Sequence, residues 1–360
     1  MNSLSKWIAA ACVGGSLVAG VCFAAEAPAK LGEAEMLKAL GSWLDEQAKA
    51  DEFSGVVLVA KDGKPVFRQA YGFADLGLQV PNRVDTKFNV GSINKMFTRL
   101  SIEQLAEQGK LSLDDTVGKH LPDYPNADVR EKVTIRQLID HRSGMGDIFT
   151  EKFRGTAKDR IRTVADAMTL FVDDPLLFAP GTDQKYSNAG YVVLGAIVEK
   201  VSGENYYDYI REHIYKPAGM KDTDSYELDV PVPNRAVGYT KDSPNGPAPG
   251  GGRRNNLFAT FFKGSPAGGG YSTADDLLAF DAILRSGKLF KTPRPIRGIG
   301  IAGGTGGANA LLEQVDEHYT VIALSNYDPP AAIEVGKKVR GWMGIVDEED
   351  GGGRVIRRRP

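Results

Sequence analysis

Cysteine is nearly absent from this chain, and its scarcity excludes several kinds of site. Both cysteines, Cys12 and Cys22, lie within the first 25 residues. If that segment is removed, the remaining chain has no thiol, which excludes a disulfide scaffold, a cysteine nucleophile and a thiolate metal site. Histidine is also scarce, and the four are scattered without metal-ligand spacing, at His120, His141, His213 and His318. The sequence therefore predicts neither a metal nor a cofactor.

An excess of charge of one sign is missing as well. The formal net charge is −2, which predicts neither nucleic-acid binding nor strong electrostatic steering. With 42% hydrophobic and 25% charged residues, the composition is that of a globular protein. A length of 360 residues allows one large or two modest domains. We expect a small molecule or an uncharged polymer as the partner, while the oligomeric state stays open.

The first 25 residues differ from the rest. Lys6 supplies a positive charge, residues 7–23 are almost wholly apolar or small, and Ala24 and Ala25 follow. This order is typical of a secretory signal peptide cleaved near Ala24 or Ala25. An uncleaved anchor is the alternative, although the stretch is just short of a full span, and a lipoprotein signal at Cys22 is a third. We expect a periplasmic or secreted protein without stable membrane insertion after cleavage.

Strand patterns occur near both ends of the chain. Residues 53–60 are typical of a buried strand, and the turn at 61–64 connects them to a second strand at 65–71. Near the other end, residues 319–324 predict a strand and residues 331–342 a helix. A sheet would then be built from both ends of the chain, with the segment between them inserted.

The inserted segment has mostly helical patterns. Apolar residues recur at helical spacing after Ser92, Asn188 and Ser272, and Ser272 is expected to cap its helix. We predict an α/β fold of the α+β type, with an antiparallel sheet flanked by helices. We predict a signal peptide at residues 1–25 and a discontinuous sheet domain at residues 31–85 and 272–345. A mostly helical domain is predicted at residues 86–271 and a disordered tail at residues 346–360.

Ser92 and Lys95 form the first motif that can carry chemistry. They lie three residues apart at the start of a predicted helix, so the ammonium can reach the hydroxyl on one face. The positive end of the helix favours a developing oxyanion at Ser92. Lys95 can accept the serine proton only if burial or a neighbouring cation lowers its pKa. An ordinary helix cap at Ser92 is the alternative.

Tyr186 and Asn188 form the second motif. Tyr186 lies on a loop shoulder between the turn at residues 180–181 and the helix that starts at Asn188. From there the phenol can relay a proton between a serine and a leaving group. Asn188 can hold Lys95 or a substrate amide. A half-buried structural tyrosine is the alternative.

Three other motif matches fail on context. Ser3 and Lys6 repeat the Ser-x-x-Lys spacing inside the signal segment. Tyr124 and Asn126 repeat the Tyr-x-Asn spacing, but no helix starts after them. Residues 298–303 fit the dinucleotide pattern G-x-G-x-x-G, which needs a strand before it and a helix after it. Prolines precede that segment and more glycines follow it, so none of the three predicts a second site.

Taken together, the motifs give the chain a family resemblance. It resembles the penicillin-recognising serine hydrolases: class C β-lactamases, D,D-peptidases and their esterase relatives. The resemblance runs from residue 53 to about residue 342, and its supporting segments are residues 109–115, 134–144 and 268–277. It implies that Ser92 is the acylated nucleophile, Lys95 its base and Tyr186 the partner acid/base. It also implies that Asn188 is a substrate or lysine ligand and that His141 is structural.

One element of that family pattern is altered. Where relatives carry Lys-Thr-Gly or His-x-Gly on an edge strand, this chain has Ile301-Ala302-Gly303, so the cation is absent. The resemblance implies that Gly303 and Gly304 bind substrate, with the amide of Gly304 completing an oxyanion hole beside that of the serine. The missing cation argues against action on anionic ligands, unless Arg294 or Arg297 replaces it.

The sequence thus predicts an exported serine hydrolase that forms an acyl-enzyme on ester or amide substrates, small molecules or cell-wall peptides, with esterase-like activity as the first choice. A β-lactamase or D,D-carboxypeptidase is one alternative, which differs only in substrate. A non-catalytic cell-wall or ligand-binding homologue with a degenerate third motif is the other. The natural substrate stays open.

Overall fold

A five-stranded antiparallel sheet lies at the centre of the fold. The computed structural model describes residues 30–243, 246, 248–257, 259–349 and 355–358. The strands of the described residues, in chain order, are β1 Gly55–Lys61, β2 Lys64–Tyr71, β3 Phe73–Asp75, β4 Val80–Pro81, β5 Phe88–Asn89, β6 Tyr239–Thr240, β7 Arg254–Asn255, β8 Tyr271–Ser272, β9 Gly300–Thr305, β10 Ala308–Gln314, β11 Tyr319–Ser325, β12 Val346–Glu349 and β13 Val355–Arg358.

The central sheet is built from both ends of the chain, as the sequence predicts. Its strand order is β2-β1-β11-β10-β9. The predicted hairpin is present as β1 and β2, and β1 also pairs with β11, with Gly55 opposite Ser325 and Lys61 opposite Tyr319. The edge strand β9 pairs with β10 alone, with Gly303 opposite Ala310.

Helices cover both faces of this sheet. They are α1 Glu33–Lys49, α2 Asn94–Glu107, α3 Val117–His120, α4 Ala127–Lys132, α5 Ile135–Ile139, α6 Glu151–Gly155, α7 Val164–Met168, α8 Asn188–Ser202, α9 Tyr206–Ile210, α10 Lys216–Ala218, α11 Ala274–Ser286 and α12 Ala331–Trp342. Helices α1 and α12 lie on one face, and α11 with the helices of the inserted segment lies on the other. The predicted fold class, an antiparallel sheet flanked by helices, is confirmed.

The strand β1 shows why the sheet is buried on both sides. Its side chains alternate between the faces, as the twofold period of a strand requires. Val56 and Leu58 enter the larger apolar cluster, which contains α2, α8 and α11. Val57 and Val59 enter the smaller cluster with α1 and α12. Because both faces are covered, the strand reads as a continuous apolar run in the sequence.

The helix α11 is capped one residue later than the sequence analysis predicts. Thr273 has extended dihedral angles, and its side chain accepts a hydrogen bond from the backbone N of Asp276. Ser272 instead ends β8, and its hydroxyl lies 2.8 Å from that of Thr223. The prediction of Ser272 as the cap is therefore wrong, because the strand continues through Ser272 and only Thr273 has the geometry of an N-cap.

Replacing Thr273 by valine is expected to destabilise the protein by about 1–2 kcal/mol, because valine keeps the shape of this buried side chain but cannot accept the cap hydrogen bond. The free energy of unfolding, measured by urea denaturation, checks this expectation. Thr273→Ser is the matched control, since it keeps the acceptor oxygen. Equal stability of the valine and serine variants would show that the cap contributes nothing.

Two strands are described within the segment predicted to be a disordered tail. Strands β12 and β13 pair antiparallel, with Val346 opposite Arg358 and Glu349 opposite Val355. The β-branched residues of this segment favour strands, and the register places Asp347 opposite Arg357. The predicted signal peptide at residues 1–25 lies outside the described residues. In the described part of the chain, no helix has the length and apolar character that a bilayer span needs. The proposed domain boundaries stay a prediction.

Candidate active site

A turn packed against the edge of the sheet carries Ser92. The 3₁₀ turn Gly91–Ile93 immediately precedes α2. Gly91 has a φ of +50°, and a Cβ atom there would lie 2.6 Å from the backbone N of Gly304. A Cβ atom on Gly303 would lie 2.6 Å from the backbone N of Ser92. Glycine at positions 91 and 303 therefore lets the edge strand β9 approach the backbone at Ser92.

Asn309 holds this edge strand in place. On β10, its Nδ2 atom donates a 2.9 Å hydrogen bond to the carbonyl of Gly303. Its Oδ1 atom accepts a 2.7 Å hydrogen bond from the backbone N of Ala332, at the start of α12. A buried asparagine with both ends satisfied thus fixes β9 beside the Ser92 turn.

The side chains of Lys95 and Tyr186, one from each predicted motif, meet at the hydroxyl of Ser92. Its Oγ atom lies 3.2 Å from Lys95 Nζ and accepts a 2.7 Å hydrogen bond from the hydroxyl of Tyr186, which lies 94 residues away in sequence. Ser92 and Lys95 come together because they are one turn apart along the same helical segment. Tyr186 is brought in by the loop that precedes α8.

Lys95 is buried, and its surroundings suit a neutral amine. Burial lowers the pKa of Lys95 to about 7, while the charge of Asp147 acts to raise it. Its Nζ atom donates hydrogen bonds to Asn188 Oδ1, at 2.7 Å, and to the carbonyl of Ala267. A neutral amine has two N–H groups and one lone pair. With both N–H groups bound to these oxygens, the lone pair is directed to the hydroxyl of Ser92.

Asp147 fixes the orientation of Asn188. Both carboxylate oxygens of Asp147 accept hydrogen bonds from Asn188 Nδ2, at 3.1 and 2.9 Å. Since the amide nitrogen is held there, the amide oxygen must face Lys95. Asp147 was not among the residues predicted from sequence. It lies six residues after His141 and three residues after the end of the supporting segment at residues 134–144.

His141 supports the tyrosine rather than the serine. Its ring lies 4.5 Å from that of Tyr186, and Nδ1 accepts a hydrogen bond from the backbone N of Ser187. Burial and the nearby charge of Lys95 lower the pKa of His141 to about 4, so the imidazole is neutral at pH 7. Burial raises the pKa of Tyr186, which therefore keeps its proton. These contacts are those of a structural histidine, the role that the family resemblance implies for His141.

A small, largely apolar pocket opens above Ser92. It has a volume of about 120 Å³, and Tyr186, Asn188 and Gly304 line it together with Ser92. Other residues that line it include Asn89, Ile148, Phe149, Thr260, Phe261 and Thr305. No lysine, arginine or histidine is among the described residues that line this pocket.

No described residue that lines the Ser92 pocket replaces the missing cation of the third motif. Ile301 lies on β9 opposite Leu312 and packs against the apolar core. Arg294 forms an ion pair with Glu103 on α2, and neither Arg294 nor Arg297 lines the pocket. In the described residues no cluster of side chains has the makeup of a metal site.

All six residues predicted for the site therefore lie around one point. Gly304, Tyr186 and Asn188 line the pocket with Ser92, while Lys95 lies beneath it and Gly303 beside the serine backbone. The sequence analysis missed Asp147 and the aromatic lining. Phe149 and Phe261 carried no signal, because they are far apart in the chain and belong to no motif.

Comparison with known proteins agrees with this arrangement. A family model described as Beta-lactamase matches residues 41–351. The chain belongs to the beta-lactamase family. Within the family, penicillin-binding protein 4* of Bacillus subtilis (strain 168) is 32% identical over 210 residues, which cover 57% of this chain and 46% of that protein. The chain spans about half the length of the curated relatives it matches.

Solved structures of other proteins share the beta-lactamase-family fold. The penicillin-binding protein from Bacillus halodurans superposes with a TM-score of 0.72 at 26% identity, covering 84% of this chain and 98% of that one. The D-amino acid amidase from Ochrobactrum anthropi SV3 superposes with a TM-score of 0.69 at 22% identity, covering 86% and 98% of the two chains. At that identity, the amidase supports the fold alone.

Proposed function

We propose that this protein hydrolyses esters or amides through an acyl-enzyme formed on Ser92, with Lys95 and Tyr186 as the proton-transfer groups. The observation that carries the proposal is the position of Ser92 Oγ, 3.2 Å from Lys95 Nζ and 2.7 Å from the Tyr186 hydroxyl. A serine is a weak nucleophile unless a base is within hydrogen-bond reach. Lys95, with a pKa of about 7, can serve as that base at neutral pH.

Acylation would proceed by attack of Ser92 Oγ on the substrate carbonyl. The serine proton passes to the neutral amine of Lys95 as the new C–O bond forms. The carbonyl oxygen becomes an oxyanion, for which the backbone amides of Ser92 and Gly304 are the proposed donors. When the tetrahedral intermediate collapses, Tyr186 protonates the leaving group and regains a proton from Lys95, which returns to the neutral form.

Deacylation would repeat these proton transfers with water. A water molecule in the place of the leaving group attacks the acyl carbonyl. Its proton passes to the phenol oxygen of Tyr186, which gives its own proton to the neutral amine of Lys95. The bond between the carbonyl carbon and Ser92 Oγ then breaks, and the proton returns to the serine oxygen. Product leaves as a carboxylic acid, and the three side chains regain their starting protonation.

The uncharged pocket favours substrates without an essential carboxylate. Binding of a carboxylate in a small pocket requires a positive partner, since its desolvation is otherwise uncompensated. The described residues that line the Ser92 pocket offer none, and Ile301 stands where family relatives have a cation. Small esters and amides are therefore the first choice of substrate. Peptides of the cell wall are larger amides that the same reaction would cleave.

β-Lactams or D,D-peptides are a second candidate for the substrate. The family match and the penicillin-binding protein of Bacillus subtilis favour them. Turnover of a chromogenic cephalosporin, compared with that of a short-chain ester, distinguishes the two candidates. Faster ester turnover supports our first choice, and a clear excess of cephalosporin turnover reverses the order.

Covalent labelling tests the proposed mechanism. The whole protein is treated with a fluorophosphonate probe and, separately, with a fluorescent penicillin, and the modified peptide is identified by mass spectrometry. We expect one adduct, located on Ser92. Adducts confined to another residue, or no adduct with either probe alongside no turnover of any ester, would contradict the proposal and favour a non-catalytic binding protein.

Asp147→Asn is expected to lower kcat about tenfold, because Asn188 loses the partner that fixes its amide. Since the charge of Asp147 acts to raise the pKa of Lys95, its removal should lower that pKa. Activity depends on neutral Lys95, so the acid limb of the pH profile should move to lower pH. Asp140→Asn, an exposed carboxylate nearby, is the control. A loss of activity with an unmoved acid limb would assign Asp147 a purely structural part.

We also propose that the protein is exported. The support is the sequence of residues 1–25, with Lys6 before an apolar segment and alanines at its end. Expression of the full chain in a bacterial host, followed by fractionation and N-terminal sequencing, tests this. A mature protein that begins after Ala24 or Ala25 in the periplasm or medium is expected. An intact N-terminus in the cytoplasm would contradict it.

A further inference from the structure

Three phenylalanines form a wall on one side of the Ser92 pocket. The ring of Phe149 lies 5.5 Å from that of Phe261, and Phe153 packs 5.1 Å from Phe149 and 4.9 Å from Phe261. Phe149 and Phe261 line the pocket, whereas Phe153 supports them from behind. Such mutually packed rings form a rigid surface, which accepts a flat apolar group at little cost in conformational entropy.

The wall is left partly uncovered at the rim of the pocket. Phe149 is 44% exposed, whereas Phe261 behind it is 8% exposed. A large apolar side chain that is exposed at the rim of a pocket, beside the proposed nucleophile, is typical of a surface that a ligand covers.

The size and charge of the pocket limit what it can hold. Its volume of about 120 Å³ is close to that of cavities that bind one benzene ring, about 150 Å³. The polar side chains that line it beyond the proposed catalytic group are neutral, among them Asn89, Thr260 and Thr305. One phenyl ring, or a branched aliphatic group of similar size, fits this space, and a carboxylate would find no cation.

The acyl part of the substrate is better placed there than the leaving group. The acyl group stays bound to Ser92 Oγ from acylation until deacylation, so a pocket beside Ser92 can hold it throughout. The leaving group must depart, and the attacking water must take its place beside Tyr186. An enclosed apolar wall at the leaving-group position would retain product and exclude that water.

We infer that the enzyme selects esters or amides whose acyl group is uncharged and carries one aromatic ring or a branched apolar group, and that Phe149 and Phe261 set this preference. The inference rests on the proposed hydrolase function and adds the substrate class. Burial of a ring against Phe149 and Phe261 should increase kcat/KM, since apolar contacts kept in the transition state contribute directly to that ratio.

Four simple esters test the inference, because the aromatic ring can be placed in the acyl group, in the alcohol or in neither. Hydrolysis of ethyl phenylacetate, ethyl butyrate, monoethyl succinate and benzyl acetate is followed by pH-stat with the full chain. We expect kcat/KM for ethyl phenylacetate to exceed that for ethyl butyrate by about tenfold or more. Ethyl butyrate should exceed monoethyl succinate, its carboxylate-bearing counterpart, by a similar factor, and benzyl acetate should gain no such advantage.

Two substitutions at Phe149 link the preference to the wall. Because its side chain is well exposed, Phe149→Ala should fold, and it should reduce the phenylacetate-to-butyrate ratio to near one. Phe149→Lys should raise the ratio of monoethyl succinate to ethyl butyrate by supplying a cation. Phe73→Ala is the matched control: Phe73 is 40% exposed on β3 and does not line the pocket, so both ratios should keep their wild-type values.

The outcomes separate this inference from the function on which it rests. Ser92-dependent hydrolysis with equal kcat/KM for phenylacetate and butyrate, or a ratio unchanged in Phe149→Ala, overturns the inference and leaves the hydrolase proposal standing. A preference for benzyl acetate over ethyl phenylacetate overturns the acyl assignment. If none of the four esters is hydrolysed and no probe labels Ser92, both proposals fail together.

Discussion

Replacement of Ser92 by alanine is expected to reduce kcat for ester hydrolysis by about 10⁴-fold or more. The substitution removes one oxygen atom, and with it the only proposed site of acyl transfer. Lys95 and Tyr186 would remain, but neither would have the hydroxyl between them to activate. Initial rates with a short-chain ester, together with the fluorophosphonate labelling described above, measure the loss. Both turnover and labelling should disappear in parallel.

The comparison needs a variant that removes a serine elsewhere. Ser286→Ala, at the exposed end of α11, should keep wild-type turnover and labelling. The thermal unfolding midpoint of Ser92→Ala should stay close to that of the parent, because loss of a single partly exposed hydroxyl rarely unfolds a protein. Turnover of the alanine variant within a factor of about ten of wild type would require another nucleophile.

Lys95 should control the pH dependence of the reaction. Its pKa is lowered by burial to about 7, and the amine acts as a base only when it has lost its proton. The value of kcat/KM should therefore rise with pH through about 7 and level off above it. Lys95→Arg should lower kcat about 10³-fold, because a guanidinium stays protonated throughout this range. Rates measured from pH 5 to pH 9 check both expectations.

Tyr186 and His141, two titratable neighbours of Lys95, do not account for the rise of kcat/KM near pH 7. Burial raises the pKa of Tyr186, and the pKa of His141 is about 4, so neither changes protonation near pH 7. Lys216→Arg, a surface lysine paired with Glu212 on the same helical segment, should leave the profile unchanged. An acid limb near pH 7 that survives in Lys95→Arg would rule out Lys95 as its source.

Burial of Lys95 also has a consequence for stability. Because its folded-state pKa lies below the ordinary lysine value of 10.5, the unfolded chain binds more protons between about pH 7 and pH 10.5. The contribution of Lys95 to stability should therefore be least favourable below pH 7 and improve as the pH rises through that interval. This is the usual relation between a reactive buried group and the free energy of the fold that holds it.

Much of the fold was predictable because it depends on short-range patterns. The apolar run at residues 53–60, its turn and the strand after it lie within one hairpin, and they appear as β1 and β2. The helix predicted at residues 331–342 appears as α12 with the same ends. The cap of α11 lies one residue after the predicted Ser272, because Ser272 is paired in β8 and Thr273 has the geometry of an N-cap.

The residue types that could form the site were identifiable from local sequence patterns. Ser92 and Lys95 are one helical turn apart, so their contact follows from local geometry, and the Tyr186 motif was identifiable from its position before α8. Only the tertiary structure decided that these segments meet, that Asp147 orients Asn188, and that Phe149 and Phe261 form one wall. Contacts between distant segments depend on the path of the whole chain. The pKa of Lys95 depends on the burial that this path produces, which no local pattern encodes.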